Sequence, residues 1–185
     1  RGLGDVYKRQ EYSHQLEKKV IQGLKDLNFL DVQFAIMFSR RSSFTENGYD
    51  EIQYEISTNP GESLKPLGKI VSGGELSRIM LAVKSVMADQ EKVETLIFDE
   101  IDTGISGITA GKVGDRLRLI GKSRQVICIT HLPQIAATAD HHFLIRKKAE
   151  GTSVRTDVEM LDEAASVEEL ARLLGGANVT ERVME

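Results

Sequence analysis

The first part of the chain shows one helical stripe of apolar residues followed by two runs of strand-like alternation. Leucines and a valine recur every three or four positions over residues 11–28, which predicts an amphipathic helix. Apolar and polar side chains then alternate over residues 31–39 and again over residues 46–57. Asn47-Gly48 is a good two-residue hairpin turn, so we expect the two runs to form an antiparallel pair.

The second part alternates short apolar runs with helical patterns. The runs at 95–98 and 124–130 are continuous, which predicts strands buried on both faces. Helices are predicted from Glu75 onward, over 107–120, over 132–140 and from Ser166 to Gly175, and a strand pair over 142–148 and 153–161. This order predicts an α/β fold with a mostly parallel central sheet and an antiparallel flank.

Composition and charge narrow the class of protein. The 185 residues suit one domain or part of one, and the net charge of −4 provides no overall positive field for nucleic acid. A DNA contact would therefore need a missing segment or a local basic patch. The local candidates are Arg40, Arg41, Lys65, Lys69, Arg146, Lys147 and Lys148.

Cysteine usage and hydropathy indicate a compartment. Cys128 is the single cysteine, which excludes an internal disulfide framework and fits a reducing cytosol. The sequence has neither a run of about 18 apolar residues nor a signal-peptide pattern, so we expect a cytoplasmic protein without a membrane partner. Asp140, His141 and His142 match no zinc-ligand spacing.

Two adjacent glycines, Gly73 and Gly74, stand where the helix beginning near Glu75 should start. Ser72 and Glu75 fit a capping box, and helix capping alone is one interpretation of the stretch. The glycines allow a second interpretation, because residues without side chains let an anion approach the unpaired amides of a helix N-terminus. The stretch then predicts a phosphate site.

Acidic residues follow the first buried strand, and a histidine follows the second. Asp99 is suited to hold Mg²⁺, and Glu100 to orient and deprotonate a water molecule. Asp102 lies two residues further along, and His131 ends the next strand, so His131 and Glu100 are expected on the same edge of the sheet. Solvated acids and a structural histidine remain the alternatives.

A complete nucleotide site is not predicted from this chain alone. A P-loop requires the pattern G-x-x-x-x-G-K-[ST]. The Gly-Lys-Ser triplet at 121–123 has Arg116 where the first glycine should stand, and Lys112 is followed by Val113. The lysine-containing phosphate loop would have to come from another chain or segment.

The order of four motifs resembles the second half of an ABC-type ATPase head. These motifs are SGGELSR, LIFDEID, DTGIS and ITH, which resemble the signature, Walker B, D-loop and switch histidine. Longer stretches, including VICITHLPQIAATADHHFLI and VEELARLLGG, resemble the C-terminal part of the RecN family of bacterial DNA repair proteins. That family is similar to the SMC proteins, whose ATPase head is split by a long antiparallel coiled coil. Its Walker A motif lies on the N-terminal side.

The resemblance, which covers about residues 11–185, implies a fold and a domain division. The fold is the C-terminal lobe of an ABC-type P-loop ATPase head, carrying the foot of a coiled coil. Residues 11–29 would be the end of the coiled-coil arm, and residues 30–185 the half-head. Residues 1–10, which begin with Arg and lack periodicity, are expected to be a non-native or disordered leader.

The resemblance also implies the role of each site residue. Ser72, Gly73, Gly74 and Glu75 would form the signature motif, which binds the γ-phosphate of ATP held by a second head. Asp99 would support Mg²⁺, Glu100 would be the general base, and His131 would contact the γ-phosphate. Asp102 would couple the two sites across the head dimer.

The implied function is ATP hydrolysis between two dimerised heads that act on DNA in recombinational double-strand-break repair, in the bacterial nucleoid. The implied partners are an N-terminal Walker A half, a second head and DNA. The sequence departs from the family in lacking Walker A and the Q-loop, so this chain alone is expected to be inactive. The alternatives are a non-catalytic interaction module and the head of another SMC- or RecF-type ATPase.

Overall fold

The computed structural model describes residues 3–46, 48–70, 72–87, 93–150 and 153–175. The helices are α1 (Leu3–Asp26), α2 (Gly73–Met87), α3 (Gly107–Gly121), α4 (Pro133–Ala136) and α5 (Glu163–Gly175), with a short 3-10 helix at Leu67–Lys69. The strands are β1 (Gln33–Thr45), β2 (Gly48–Ser57), β3 (Lys65–Pro66), β4 (Thr95–Phe98), β5 (Gln125–Cys128), β6 (Phe143–Glu150) and β7 (Ser153–Met160).

Helix α1 begins at Leu3, whereas the sequence predicted a helix from residue 11 and an unstructured leader before it. Residues 7–12 are exposed, and burial begins at Ser13. A helical stretch that contacts no core needs no apolar stripe, so periodicity could not reveal these first turns. Residues 3–10 are therefore helical in this structure, and the prediction that residues 1–10 are a non-native leader stays a prediction. Val20 and Leu24, further along α1, are fully buried.

The strands β1, β2 and β3 form an antiparallel sheet that packs against α1. The alternation predicted this pairing correctly, with Phe34 opposite Ile56 and both side chains buried. The turn lies one residue earlier than predicted, because Gly48 already pairs with Thr45. Gly48 has a φ of +99°, which explains glycine at this strand start. Asn47 lies outside the described residues.

The strands β4 and β5 pair in parallel, as expected for the two continuous apolar runs. The prediction that both faces are buried is wrong for this chain. Leu96 and Phe98 face the core at 9% and 5% exposure, but Ile97 and Ile127, on the other face, are 67% and 44% exposed. The apolar sequence of that face suits burial, yet within the described residues nothing covers these two side chains.

The C-terminal elements are a β6–β7 hairpin and α5. Helix α5 begins at Glu163, three residues before the predicted start at Ser166, because Asp162 provides the cap. Its Oδ1 atom accepts a hydrogen bond of 2.8 Å from the Ala165 amide. Helix α4 is shorter than predicted and covers only 133–136.

One hydrophobic core joins α1, α2 and α3 to the buried faces of β1 and β4. Its fully buried side chains include Leu24, Ile79, Leu81 and Val113. The predicted α/β fold is confirmed, with a parallel β4–β5 pair and two antiparallel sheets among the described residues. Within that part of the chain, every helix is too short or too polar to cross a bilayer.

Candidate functional site

The N-terminus of α2 carries the predicted side-chain cap. Ser72 Oγ accepts a hydrogen bond of 3.3 Å from the Glu75 amide, and the Ser72 carbonyl accepts one of 3.0 Å from the Leu76 amide. The side-chain bond satisfies one orphan amide of this helix end, that of Glu75, and the carbonyl bond is the first bond within the helix. The cap accounts for Ser72 but not for the two glycines that follow it.

The glycines allow α2 to approach the loop after β4, which we call the acid loop and define as residues 99–103. A Cβ atom at Gly74 would lie 2.9 Å from the carbonyl oxygens of both Glu100 and Thr103. A Cβ atom at Gly73 would meet the Glu100 carboxylate. The sequence suggested that the two glycines let an anion approach the helix N-terminus. The structure adds a second reason, which is close packing of α2 against the acid loop of the same chain.

We expect Gly74→Ala to destabilise the chain by about 1–3 kcal/mol, because the added methyl group meets two backbone oxygens that cannot rotate away. Urea unfolding followed by circular dichroism measures the change. Gly111→Ala in α3 is the matched control, since nothing lies within 4 Å of a Cβ atom there. That control should gain up to about 1 kcal/mol from helix propensity. Equal stability of the two variants would contradict the packing explanation.

Asp99 and Glu100 lie exposed at the end of β4, as the sequence predicted. Asp99 Oδ1 accepts a hydrogen bond of 2.9 Å from the Glu100 amide. Glu100 has a φ of +56°, a left-handed conformation that is uncommon for a residue with a side chain. Such backbone strain costs about 1–3 kcal/mol and persists only where the surroundings enforce it.

Two consecutive side chains of α2 hold the acid loop in this conformation. Ser77 Oγ donates a hydrogen bond of 2.7 Å to the Asp99 carbonyl. Arg78 Nη1 donates to the carbonyls of Ile101 and Thr103 at 3.1 and 3.0 Å. These hydrogen bonds therefore join α2 to the acid loop within one chain.

Arg78 was not among the site residues predicted from the sequence. Its side chain is 7% exposed, and its guanidinium lies 5.7 Å from the ring centroid of Phe29. Burial lowers the pKa of Arg78 and the charge of Glu75 opposes that change, but an arginine remains protonated. The signal in the sequence was a charged residue directly before Ile79, on the buried side of an amphipathic helix.

Asp102 and His131 are brought together, whereas the sequence predicted only that His131 and Glu100 lie on the same edge of the sheet. Asp102 is 5% exposed and its Oδ2 atom lies 3.0 Å from His131 Nδ1, whereas the His131 side chain is 74% exposed. Burial raises the pKa of Asp102, but hydrogen bonds from Thr130 and the His131 amide and the charge of His131 lower it more. Asp102 therefore stays ionised at neutral pH.

The prediction that Asp102 couples the two sites across the head dimer stays a prediction. A residue that couples two heads directly needs to be accessible to the second head. Within this chain Asp102 is buried, and its carboxylate accepts hydrogen bonds from Thr130 and the His131 amide. The structure places it behind His131.

Cys128 and His142 have structural surroundings. Burial raises the pKa of Cys128 to about 12, with further increases from the charges of Asp102 and Asp99, so its thiol is protonated at neutral pH. The His142 ring contacts the carbonyl of Ala136 at 2.9 Å. Neither residue is a candidate for nucleophilic or acid–base chemistry.

Four of the seven basic candidates pair with acids. The pairs are Arg41 with Glu51 at 3.5 Å, Lys65 with Glu62 at 3.5 Å, Arg146 with Glu159 at 3.8 Å and Lys148 with Asp157 at 3.1 Å. A neighbouring carboxylate reduces the local positive potential that a DNA phosphate would meet. These residues are therefore weaker candidates for binding DNA than the sequence alone indicated.

The arrangement is suited to phosphate chemistry but is incomplete. Exposed carboxylates, an exposed histidine and a capped helix N-terminus lie around the ends of β4 and β5. Mg²⁺ commonly takes one or two protein carboxylates and completes its shell with water and phosphate oxygens, which fits the exposed Asp99. Among the described residues, no cluster of three or more His, Cys, Asp or Glu side chains forms a metal cage. A metal here would therefore need phosphate ligands.

Comparison with solved structures identifies the fold. The chain has a TM-score of 0.61 to an SMC head domain with a coiled coil and joint from Pyrococcus yayanosii, at 20% identity, covering 90% of this chain and 30% of that one. A second structure, described as concerning ATP-driven dimerisation and DNA-stimulated activation of SMC ATPases, gives 0.54 at 18% identity and covers 92% and 96% of the respective chains. The fold is that of an SMC-type ATPase head, in its C-terminal lobe.

Sequence comparison specifies the relationship. The chain is 41% identical over 181 residues to the DNA repair protein RecN of Halalkalibacterium halodurans, covering 96% of this chain and 32% of that protein. It is 41% identical over 177 residues to RecN of Vibrio cholerae, covering 95% and 32%. The resemblance to RecN is thereby confirmed along nearly the whole chain, which spans about a third of these relatives. No protein-family model matches the chain.

Proposed function

We propose that this chain is the C-terminal half of an ATPase head that hydrolyses ATP between two dimerised heads and acts on DNA in double-strand-break repair. The proposal rests on one observation. In a fold like that of an SMC head, Ser77 and Arg78 join α2, which begins at the signature motif, to the acid loop. The relatives are named as DNA repair proteins, which supports the cellular role.

Each residue of the half-site takes a role that its surroundings permit. The exposed Glu100 carboxylate acts as the general base that orients and deprotonates the attacking water. Asp99 supports Mg²⁺, which supplies charge neutralisation on the phosphates when it is bound. His131, anchored by Asp102 but otherwise exposed, contacts the γ-phosphate.

The N-terminus of α2 serves the nucleotide held by the second head. Ser72 uses one lone pair as the helix cap, and its hydroxyl proton is available for a phosphate oxygen. The exposed Gly73 keeps the approach to the first-turn amides open, where the helix dipole favours an anion, while the buried Gly74 packs α2 against the acid loop. Glu75 lies in the same first turn, but its carboxylate does not bind the phosphate, because both groups are negatively charged.

The uncovered faces of two sheets support an N-terminal Walker A half as partner. The exposed apolar residues are Ile97 on β4, Ile127 on β5 and Ile129 directly after it. On the β6–β7 hairpin they are Phe143, Ile145, Val154, Val158 and Met160. Exposed apolar surface of this extent marks an interaction site. Since the relatives are about three times longer than this chain, we propose that their N-terminal segment covers these faces. Helix α1 would then be the foot of the coiled-coil arm.

The test is to co-purify this chain with an N-terminal half that carries Walker A and to measure ATP turnover with and without linear duplex DNA. Turnover by the complex, absent from either half alone, is the expected result. A folded and assembled complex that does not hydrolyse ATP would instead indicate a non-catalytic interaction module.

Ile97→Asp should weaken the association of the two halves by at least about tenfold, because a charge would be buried against an apolar surface. Binding of the purified halves, measured by calorimetry, checks the result. Leu119→Asp on α3 is the matched control, since Leu119 is also exposed, at 54%, but lies outside the two sheet faces. If both variants bind as the parent does, the proposed partner surface is wrong.

A further inference from the structure

Asp102 binds the residue at the end of β5 through a single oxygen atom. Its Oδ2 atom accepts hydrogen bonds from Thr130 Oγ1 at 2.6 Å and from the His131 amide at 2.8 Å. The same oxygen lies 3.0 Å from His131 Nδ1. Thr130 Oγ1 in turn accepts a hydrogen bond of 3.0 Å from the Leu132 amide. The backbone amide of His131 is thus hydrogen-bonded to one buried carboxylate, and its ring lies in close contact with the same oxygen atom.

The chemistry of the donors fixes where the His131 proton is. His131 Nδ1 lies 3.0 Å from Asp102 Oδ2. An ionised carboxylate repels a nitrogen lone pair and attracts an N–H group, so this contact favours a proton on Nδ1. In the neutral ring the other nitrogen, Nε2, is then an acceptor without a proton, and it becomes a donor only when the ring gains a second proton.

We infer that Asp102 is a positioning residue that holds His131 as the Nδ1-protonated tautomer and fixes its ring, so that Nε2 is the atom presented to the bound phosphate. This inference rests on the proposed function for the role of His131. Because phosphate oxygens accept hydrogen bonds, Nε2 contacts a phosphate favourably when the ring is protonated twice.

The inference gives Asp102 a role within its own half-site. A carboxylate that orients a histidine fixes both tautomer and ring angle, and removing such partners commonly costs 10–100-fold in activity at metal-bound histidines. The burial of Asp102 suits this role, since a fixed position is what orients the ring. Thr130 and the His131 amide keep the carboxylate in place.

The first test is the tautomer itself, measured by nitrogen NMR of histidine-labelled protein in the complex of the two halves. His131→Gln identifies the His131 signals among those of the four histidines. At about pH 8.5, where histidines are ordinarily neutral, His131 should carry its proton on Nδ1. A proton on Nε2 would overturn the inference, and this measurement needs no variant of Asp102.

The second test is a double-mutant cycle on ATP turnover. Asp102→Asn should lower kcat by about 10–100-fold with little change in the KM for ATP. It should have no further effect in the His131→Gln background, because Asp102 acts through His131. An additive loss in the double variant would overturn the inference. Asp115→Asn, an exposed aspartate on α3, is the matched control and should leave kcat unchanged.

The two tests separate this inference from the proposed function. A protonated Nδ1 that is lost in Asp102→Asn, together with normal turnover in His131→Gln, would support the positioning of the ring while removing the proposed phosphate role of His131. If Asp102→Asn does not fold, Thr130→Val removes one donor to the same oxygen and should retain the Nδ1 proton. If His131 lost its Nδ1 proton in Thr130→Val, Asp102 would not be the residue that holds this tautomer.

Discussion

Glu100→Gln should reduce ATP turnover by at least about 100-fold in the complex of the two halves, because general-base catalysis contributes about 10²–10⁴-fold. The glutamine side chain has nearly the same shape as glutamate but cannot accept the proton of the attacking water. Nucleotide binding should persist, since Asp99 and the signature helix are unchanged. We therefore expect ATP-bound head dimers to accumulate, which light scattering with ATP measures alongside turnover.

Glu94→Gln is the matched control for this variant. Glu94 precedes β4, at the opposite end of the strand from Glu100, and its side chain is also exposed. The same change in charge and shape is therefore made away from the candidate site. Parental turnover in Glu100→Gln would show that Glu100 is not the base. An equal loss in both variants would indicate an effect of charge on the fold.

Arg78→Met should destabilise the chain by about 2–4 kcal/mol, because hydrogen bonds to a charged donor contribute about 1.5–3 kcal/mol each. The methionine side chain retains much of the packing of the arginine stem but leaves the carbonyls of Ile101 and Thr103 without their donor. The midpoint of urea unfolding measures the loss, provided that the slope of the transition is unchanged.

Two further variants show whether the loss of stability in Arg78→Met comes from the missing hydrogen bonds. Arg78→Lys keeps the charge but replaces the planar fork by a single ammonium group, so we expect an intermediate stability. Arg118→Met removes an exposed arginine from α3 and should change stability by less than about 0.5 kcal/mol. If Arg78→Met were as stable as Arg118→Met, the two carbonyl contacts would contribute nothing and the acid loop would be held in another way.

The positions of the helices and strands followed largely from local pattern. Apolar spacing predicted most of α1 and the continuous runs predicted β4 and β5, because a side chain that faces a core must be apolar wherever the core is. The first turns of α1 and the start of α5 were missed. Exposed helical turns need no apolar residue, and the cap by Asp162 is a single side-chain contact with little periodic signal.

The sequence by itself determined the kind of fold, the order of the motifs and the residues that end β4 and β5, because these depend on neighbours along the chain. Only the tertiary structure decided what those residues contact. Arg78 reaches the acid loop across 23 residues, and Asp102 reaches His131 across 29. Contacts between residues so far apart depend on how α2, β4 and β5 pack, and a linear pattern does not record that packing.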